Sequence, residues 1–395
     1  MLIGLALVLS VPEGATAQEP DSLQAAPDSA IAETIFPGSW DLPGSGLRMK
    51  IGGYVKADFL YDFKGTRDRR QFLMNTIPVE GEADYANAGY VSFFANETRF
   101  NIDVRRTDKS PFPLRMFLEV DFWTPDNGFR LRHAYIEAGD FTIGQTWTTL
   151  SFLQVIPQMI DFAAGDALFG GRTTQVRYSR EVNDRVKLAF GVEMQDFLGI
   201  ENPFSLAGEP NLQLPLLAAR ADLGWESGTL FLGSSVAQLR WDGGETGPSA
   251  STAQWDVVIA FRQQVTARTA LTGHFSFGKG SGENVMAFAG SKANAVLEAD
   301  GTLTAIPVIA FVAGIIHHWN EVLTTNASAA WGWLDAPDSR DGLALQDGGV
   351  AHVNLMWRPV KPFLLGVEYM WGAKRAVNDE IGRASRIQFG TYFYF

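Results

Sequence analysis

Apolar and charged residues alternate with a period of two along much of this 395-residue chain, and that alternation leaves few folds open to it. Val55, Ala57, Phe59, Tyr61 and Phe63 alternate with Lys56, Asp58 and Asp62. Phe94, Asn96, Thr98, Phe100, Ile102 and Val104 alternate with Glu97, Arg99, Asn101, Asp103 and Arg105. Leu114, Met116, Leu118, Val120 and Phe122 alternate with Arg115, Glu119 and Asp121. Period two belongs to β-strands, whose successive side chains point to opposite faces. A soluble barrel keeps its lumen apolar and its outside polar. Charges at every second position, facing a closed lumen, are too costly to bury unless that lumen holds water. Apolar outside and charged inside is the pattern of a water-filled barrel in a membrane.

Sixteen strand-like segments follow Met49. Long connections fall near 64–89, 123–129, 150–171, 195–213, 241–251, 279–303, 335–348 and 372–383, and short ones lie between them, such as Gly139–Asp140 and 226–228. Long loops on one side and short turns on the other is the asymmetry of outer-membrane barrels, with the short turns in the periplasm. A helical span would need about 18 consecutive apolar residues. The longest candidate beyond the N-terminus, Ala305–Ile316, is shorter than that. The expected fold class is therefore all-β: a sixteen-stranded antiparallel transmembrane β-barrel.

The two ends agree with this. In the last twelve residues, Ile387, Phe389, Thr391, Phe393 and Phe395 share one strand face, and Arg386, Gln388, Gly390, Tyr392 and Tyr394 share the other. A row of aromatics gives little to a fraying soluble terminus, but it suits a strand that closes a barrel in lipid. The stretch resembles the terminal strand of Gram-negative outer-membrane proteins, in which a final Phe is part of the assembly signal. At the other end, Leu2–Val11 is an apolar core and Ala15-Thr16-Ala17 a small-residue cleavage site, although no Lys or Arg precedes them. The expected organisation is a signal peptide over 1–17, a periplasmic linker rich in Pro, Ala, Ser and acids over 18–46, and the barrel over 47–395.

Composition removes several functions. The formal charge of −12 argues against a nucleic-acid partner. With no cysteine there are no thiol nucleophiles or thiolate metal sites. None of His133, His274, His317, His318 and His352 sits in a metalloprotease or nucleophile-elbow motif, so neither an enzyme nor a cofactor or metal is expected.

Functional residues are expected around the third long connection. Leu150–Gly171 carries Phe152, Leu153, Val155, Ile156, Met159, Ile160, Phe162, Leu168 and Phe169, which are too many apolar side chains for an exposed loop. Folded into the lumen, it would bury them and narrow the pore. By alternation Arg99, Arg115 and Arg177 face inward; Arg132 and Arg172 lie at strand ends, and the phase of 130–138 is ambiguous. Asp161 and Asp166 are the acids of the loop. Arginines opposite acids across a narrow aqueous gap would set up a transverse field that biases anions. The alternative is that the wall arginines pair with Glu97, Glu119 and Asp121 as a solvated ladder.

The run Gly144-Gln145-Thr146-Trp147-Thr148-Thr149-Leu150, then Pro157, Asp161-Phe162 and Arg172-Thr173-Thr174-Gln175-Val176-Arg177-Tyr178, resembles the DcaP-like porins. The opening Gly52-Gly53-Tyr54-Val55-Lys56-Ala57-Asp58 and His133-Ala134-Tyr135 are also similar. The resemblance spans residues 52–178. It departs at Thr148-Thr149-Leu150, where Ser-Thr-Phe is more usual, and in the absence of heptads before the barrel. It implies a homotrimeric sixteen-strand porin, embedded in outer-membrane lipid, that takes up small anions such as dicarboxylates. Phosphate-selective porins share a similar opening strand, so phosphate-selective and general diffusion porins remain alternatives. A structural or adhesive barrel is the reading from a different class.

Overall fold

The computed structural model describes residues 36–106, 112–163, 165–195 and 198–395, so the expected signal peptide lies outside the described residues. Sixteen antiparallel strands form a closed barrel. They are β1 (Leu47–Lys64), β2 (in two pieces, Tyr90–Phe94 and Arg99–Arg106), β3 (Leu114–Asp121), β4 (Arg130–Ala138), β5 (Phe141–Trp147), β6 (Arg172–Asn183), β7 (Val186–Glu193) and β8 (Leu216–Trp225). The second half comprises β9 (Gly228–Asp242), β10 (Ala250–Thr266), β11 (Thr269–Lys279), β12 (Pro307–His318), β13 (Leu323–Leu334), β14 (Leu345–Val360), β15 (Phe363–Ala376) and β16 (Ile381–Tyr394). Each strand pairs with the next, and β16 pairs with β1 from Tyr54 opposite Tyr394 to Lys64 opposite Ser385. That last ladder removes the open edges that hydrocarbon does not tolerate. Ahead of the barrel, Trp40–Leu42 pairs with Leu47–Met49.

The expected alternation is realised. In β1, Lys56, Asp58 and Asp62 are buried inside, while Val55 and Phe63 are exposed on the outer face. In β16, Arg386 and Gln388 are buried and Phe389 and Phe393 are exposed. Long and short connections alternate as expected. The last long one is shorter than predicted, because β15 and β16 extend and leave only residues 377–380 between them.

Two β-bulges shift the phase of the wall. Asp58 opposes Phe94 and Tyr54 opposes Arg99, so β2 has one residue more than the matching stretch of β1. Phe94 therefore packs against Trp123 inside, rather than sharing the outer face with Phe100 as strict alternation predicts. In β4, Leu131 opposes Val120 and His133 opposes Glu119, so Arg132 is the extra residue and both Arg132 and His133 are buried. This bulge explains the ambiguous phase of 130–138.

Three connections fill part of the lumen: L1 (65–89), L3 (148–171) and L6 (280–306). Phe72 and Met74 of L1, Val155 and Leu168 of L3, and Val285 and Phe288 of L6 share one apolar cluster with wall residues such as Phe231, Ala310 and Met370. Burying a side chain of this size contributes about 1.5–3 kcal/mol, enough to hold the loops against the wall from β9 to β15. Half-exposed inward side chains are concentrated on the opposite wall, for example Arg105, Arg130, Glu137 and Arg177 on β2–β6. The water-filled passage is thus displaced toward that side.

Candidate pore constriction

L3 lies inside the barrel, as its apolar content predicts. It leaves β5 after Trp147 and follows the inner wall round the ring. Phe152 meets Phe231 of β9 with ring centres 5.2 Å apart. The Thr272 hydroxyl of β11 donates to the Val155 carbonyl oxygen (2.5 Å). Asn326 of β13 and Asn354 of β14 each donate to the Gln158 carbonyl oxygen at 2.9 Å. Glu368 of β15 accepts the Ile160 N–H at 2.6 Å, and Lys56 of β1 donates to the Ile160 carbonyl oxygen at 2.5 Å. Wall glycines make room for this approach: a Cβ at Gly390 would stand 2.6 Å from Ile160 Cγ2, and one at Gly314 would stand 2.7 Å from Pro157 Cγ. Alternation places inward polar groups where an unpaired loop backbone needs partners, so the segment is anchored with only one short 3-10 turn, Leu153–Val155, of its own.

Beyond Ile160 the loop presents Phe162 to the β2–β6 wall. Phe162 stacks on Trp123 (centres 4.6 Å apart, planes at 15°). The guanidinium carbons of Arg99, Arg130 and Arg132 lie 5.6, 5.4 and 5.5 Å from the centre of its ring. Register brings these arginines together, because Arg99 opposes Asp121 and Asp121 opposes Arg130. Arg132 bonds Glu119 (2.7 Å) and Asp121 (2.9 Å), and Arg130 chelates Asp121 through two bonds (2.9 and 2.6 Å). Glu97 lies 3.7 Å from Arg99 but is held by Lys56 through a direct ion pair. Arg172, at the start of β6, covers Trp147 at 4.8 Å and has no carboxylate partner among the described residues. It lies within electrostatic range of Arg132, Arg130 and Arg99. Four arginines thus share one level of the pore.

The sequence profile of the DcaP outer membrane protein family matches residues 40–395. The chain belongs to this family. No curated protein sequence matches it. Among solved structures it is similar to the outer membrane channel DcaP of Acinetobacter baumannii, with 20% identity over 90% of this chain and 99% of that one and a TM-score of 0.76. The anion-selective porin from Comamonas acidovorans has a TM-score of 0.60, with 11% identity over 88% of this chain and 100% of that one. OmpT of Vibrio cholerae in a trimer form has a TM-score of 0.54, with 11% identity over 88% and 99%. These likenesses show the fold, and the DcaP family places the chain in the outer membrane as a porin.

The seven residues expected at the constriction of this DcaP-family barrel divide into three groups. Arg99, Arg132 and Arg172 belong to the cluster around Phe162. Arg115 and Arg177 start from backbone positions nearer the periplasm, although the Arg177 side chain reaches back toward Trp147: Arg115 pairs with Arg105 and Glu137 at the turn ends of β2 and β4, and Arg177 opposes Thr142 near the start of β5. Arg115 bonds Asp103 twice at 2.9 Å, and Arg177 donates to the Trp147 carbonyl oxygen at 3.3 Å.

Asp161 and Asp166 do not face the arginine wall, contrary to the expectation of a transverse field. Asp161 accepts the N–H of Phe72 (3.1 Å) and of Ala163 (2.9 Å), and Asp166 accepts the N–H of Met74 (2.6 Å). The backbone donors of L1 offer these buried carboxylates closer partners than the wall does, so the acids tie L1 to L3. Sequence reasoning missed Arg130, Trp123 and Phe162. The bulge hid the first. The Asp-Phe pair was visible as a motif, but nothing in it said that the aromatic rather than the acid meets the arginines.

Proposed function

We propose that this porin passes small anions, dicarboxylates among them, by passive diffusion. One observation carries the reading: Arg99, Arg130, Arg132 and Arg172 converge at one level, where Glu119 and Asp121 are shared among them and Glu97 is taken up by Lys56. The local balance is positive, and a narrow aqueous passage between low-dielectric walls responds to the charges nearest it. The description of the Comamonas relative as anion-selective agrees with this, although it is only a fold likeness. The test is the reversal potential of the purified protein in a planar bilayer under a tenfold potassium chloride gradient. The expected sign is that of chloride, and added succinate should lower the chloride current. A strong preference for potassium would remove the proposal and leave a general diffusion porin.

We also infer a homotrimer formed through the β3–β5 wall. A transmembrane strand needs about 9–11 residues to cross hydrocarbon. β3, β4 and β5 have 8, 9 and 7, whereas β10 and β14 have 17 and 16. The short wall still exposes Met116, Leu131, Ile136, Phe141 and Ile143. A low apolar wall is better covered by another copy of the protein than by lipid. The trimer form described for Vibrio OmpT supports this reading.

A further inference from the structure

We propose that Phe162 is the positioning residue of the anion filter: its ring gathers the arginines without neutralising them. The proposal rests on the anion reading above and adds the group that makes such a cluster stable. Like charges at one level repel, and the usual remedy is an acid among them. Glu119 and Asp121 already offset part of the charge of the four arginines, and a further acid would cancel the remaining field that selects anions. An aromatic ring attracts cations through its quadrupole while carrying no net charge, and each contact within about 6 Å contributes about 0.5–2 kcal/mol depending on desolvation. Arg99, Arg130 and Arg132 all stand within that range of Phe162.

The ring is itself held in place. Trp123 stacks on it, and Arg70 of L1 stands 5.3 Å from the centre of Trp123 while donating to the Thr124 carbonyl oxygen at 3.3 Å. On either side in sequence, Ile160 and Ala163 are buried, and Asp161 is turned toward L1. Phe162 is half-buried, so part of its ring borders the passage. Arg130 and Arg132 already bond Asp121 and Glu119 on the wall side. Without the ring, the loop would no longer draw their guanidiniums and that of Arg99 toward the passage, and the positive face toward the pore would weaken.

The experiment compares wild type, Phe162→Leu and Phe162→Tyr in planar bilayers, with insertion checked by heat-modifiable gel mobility. Leucine keeps apolar bulk but loses the quadrupole, and tyrosine keeps the quadrupole. The expected result is that Phe162→Leu lowers the chloride-to-potassium permeability ratio by about threefold or more, although no charge has changed, and that Phe162→Tyr restores it. A ratio in Phe162→Leu equal to wild type overturns the proposal, even if conductance rises because the pore is wider. If Phe162→Leu does not insert, Trp123→Leu decides: a lowered ratio supports the stack and an unchanged one overturns it. Failure of the anion reading itself would appear separately, as a cation preference in the wild-type arm.

Discussion

Arg172 is the member of the cluster whose removal leaves no carboxylate without a partner, which makes Arg172→Gln the cleanest test of the electrostatics. Its guanidinium rests over Trp147, and no acid pairs with it among the described residues. An anion touching that guanidinium lies about 4 Å from its charge, where the attraction even at the dielectric of water is about 1 kcal/mol. Screening with a Debye length of about 8 Å reduces this to about 0.6 kcal/mol, close to RT. Losing it lowers local anion occupancy by about 2.7-fold and raises that of a cation by the same factor, so the permeability ratio should fall by about sevenfold. The low-dielectric wall makes that figure a floor. Reversal potentials under a tenfold potassium chloride gradient give the ratio directly, and Arg172→Lys, which keeps the charge, should stay near wild type. A change below about twofold in Arg172→Gln would refute the claim that ions pass this cluster at contact distance.

Removing residues 157–165 should raise single-channel conductance in a barrel that still folds, because β16 and β1 are joined by their own backbone ladder; unchanged conductance would contradict an inward loop. A milder form is Glu368→Gln: a hydrogen bond to a charged acceptor contributes about 1.5–3 kcal/mol, so weakening the hold on Ile160 should increase open-channel noise without moving the permeability ratio. For the trimer, Ile136→Asp on the short wall should convert the unheated gel band to a monomer, whereas the same change at Ile259 of β10 should hinder insertion instead.

The barrel was legible because its wall obeys a simple rule. Every second residue must suit lipid and every other one water, so strand number, turn positions and the inward set follow from period two. Legibility stopped where the rule is locally broken. One added residue in β2 reversed the face of Phe94, and one in β4 hid the direction of Arg130 and Arg132. Bulges are invisible to a periodicity argument, because each half of a bulged strand still alternates. The inward loop was legible from its apolar load, since Val155, Ile160 and Leu168 had nowhere else to go. Its internal arrangement was not. Whether Asp161 or Phe162 meets the arginines depends on where L1 lies, and L1 comes into contact with L3 only in three dimensions.

That arrangement changes what kind of filter this is. The chain as a whole carries −12, yet many of its acids belong to connections rather than to the arginine wall. Glu80, Glu82 and Asp84 lie on L1 and Asp335, Asp338 and Asp341 on the connection after β13, with Glu82 paired to Arg67 and 3.7 Å from Lys374. Charges farther than a Debye length, about 8 Å, are largely screened from an ion in the passage. The loop acids that could have stood across from the arginines are spent on the backbone of L1. A pore with cations on one wall and acids on the other orients dipoles and tolerates both signs of ion. A pore whose wall carries more arginines than acids, with an aromatic ring and no further acid on the other side, pulls on anions against only the offset of Glu119 and Asp121. The second arrangement favours solutes with net negative charge over neutral dipolar ones of the same size, so permeation by a dicarboxylate should exceed that by its diamide in liposome swelling assays. Equal rates for the two would mean that the arginines serve the fold of the wall rather than the choice of solute.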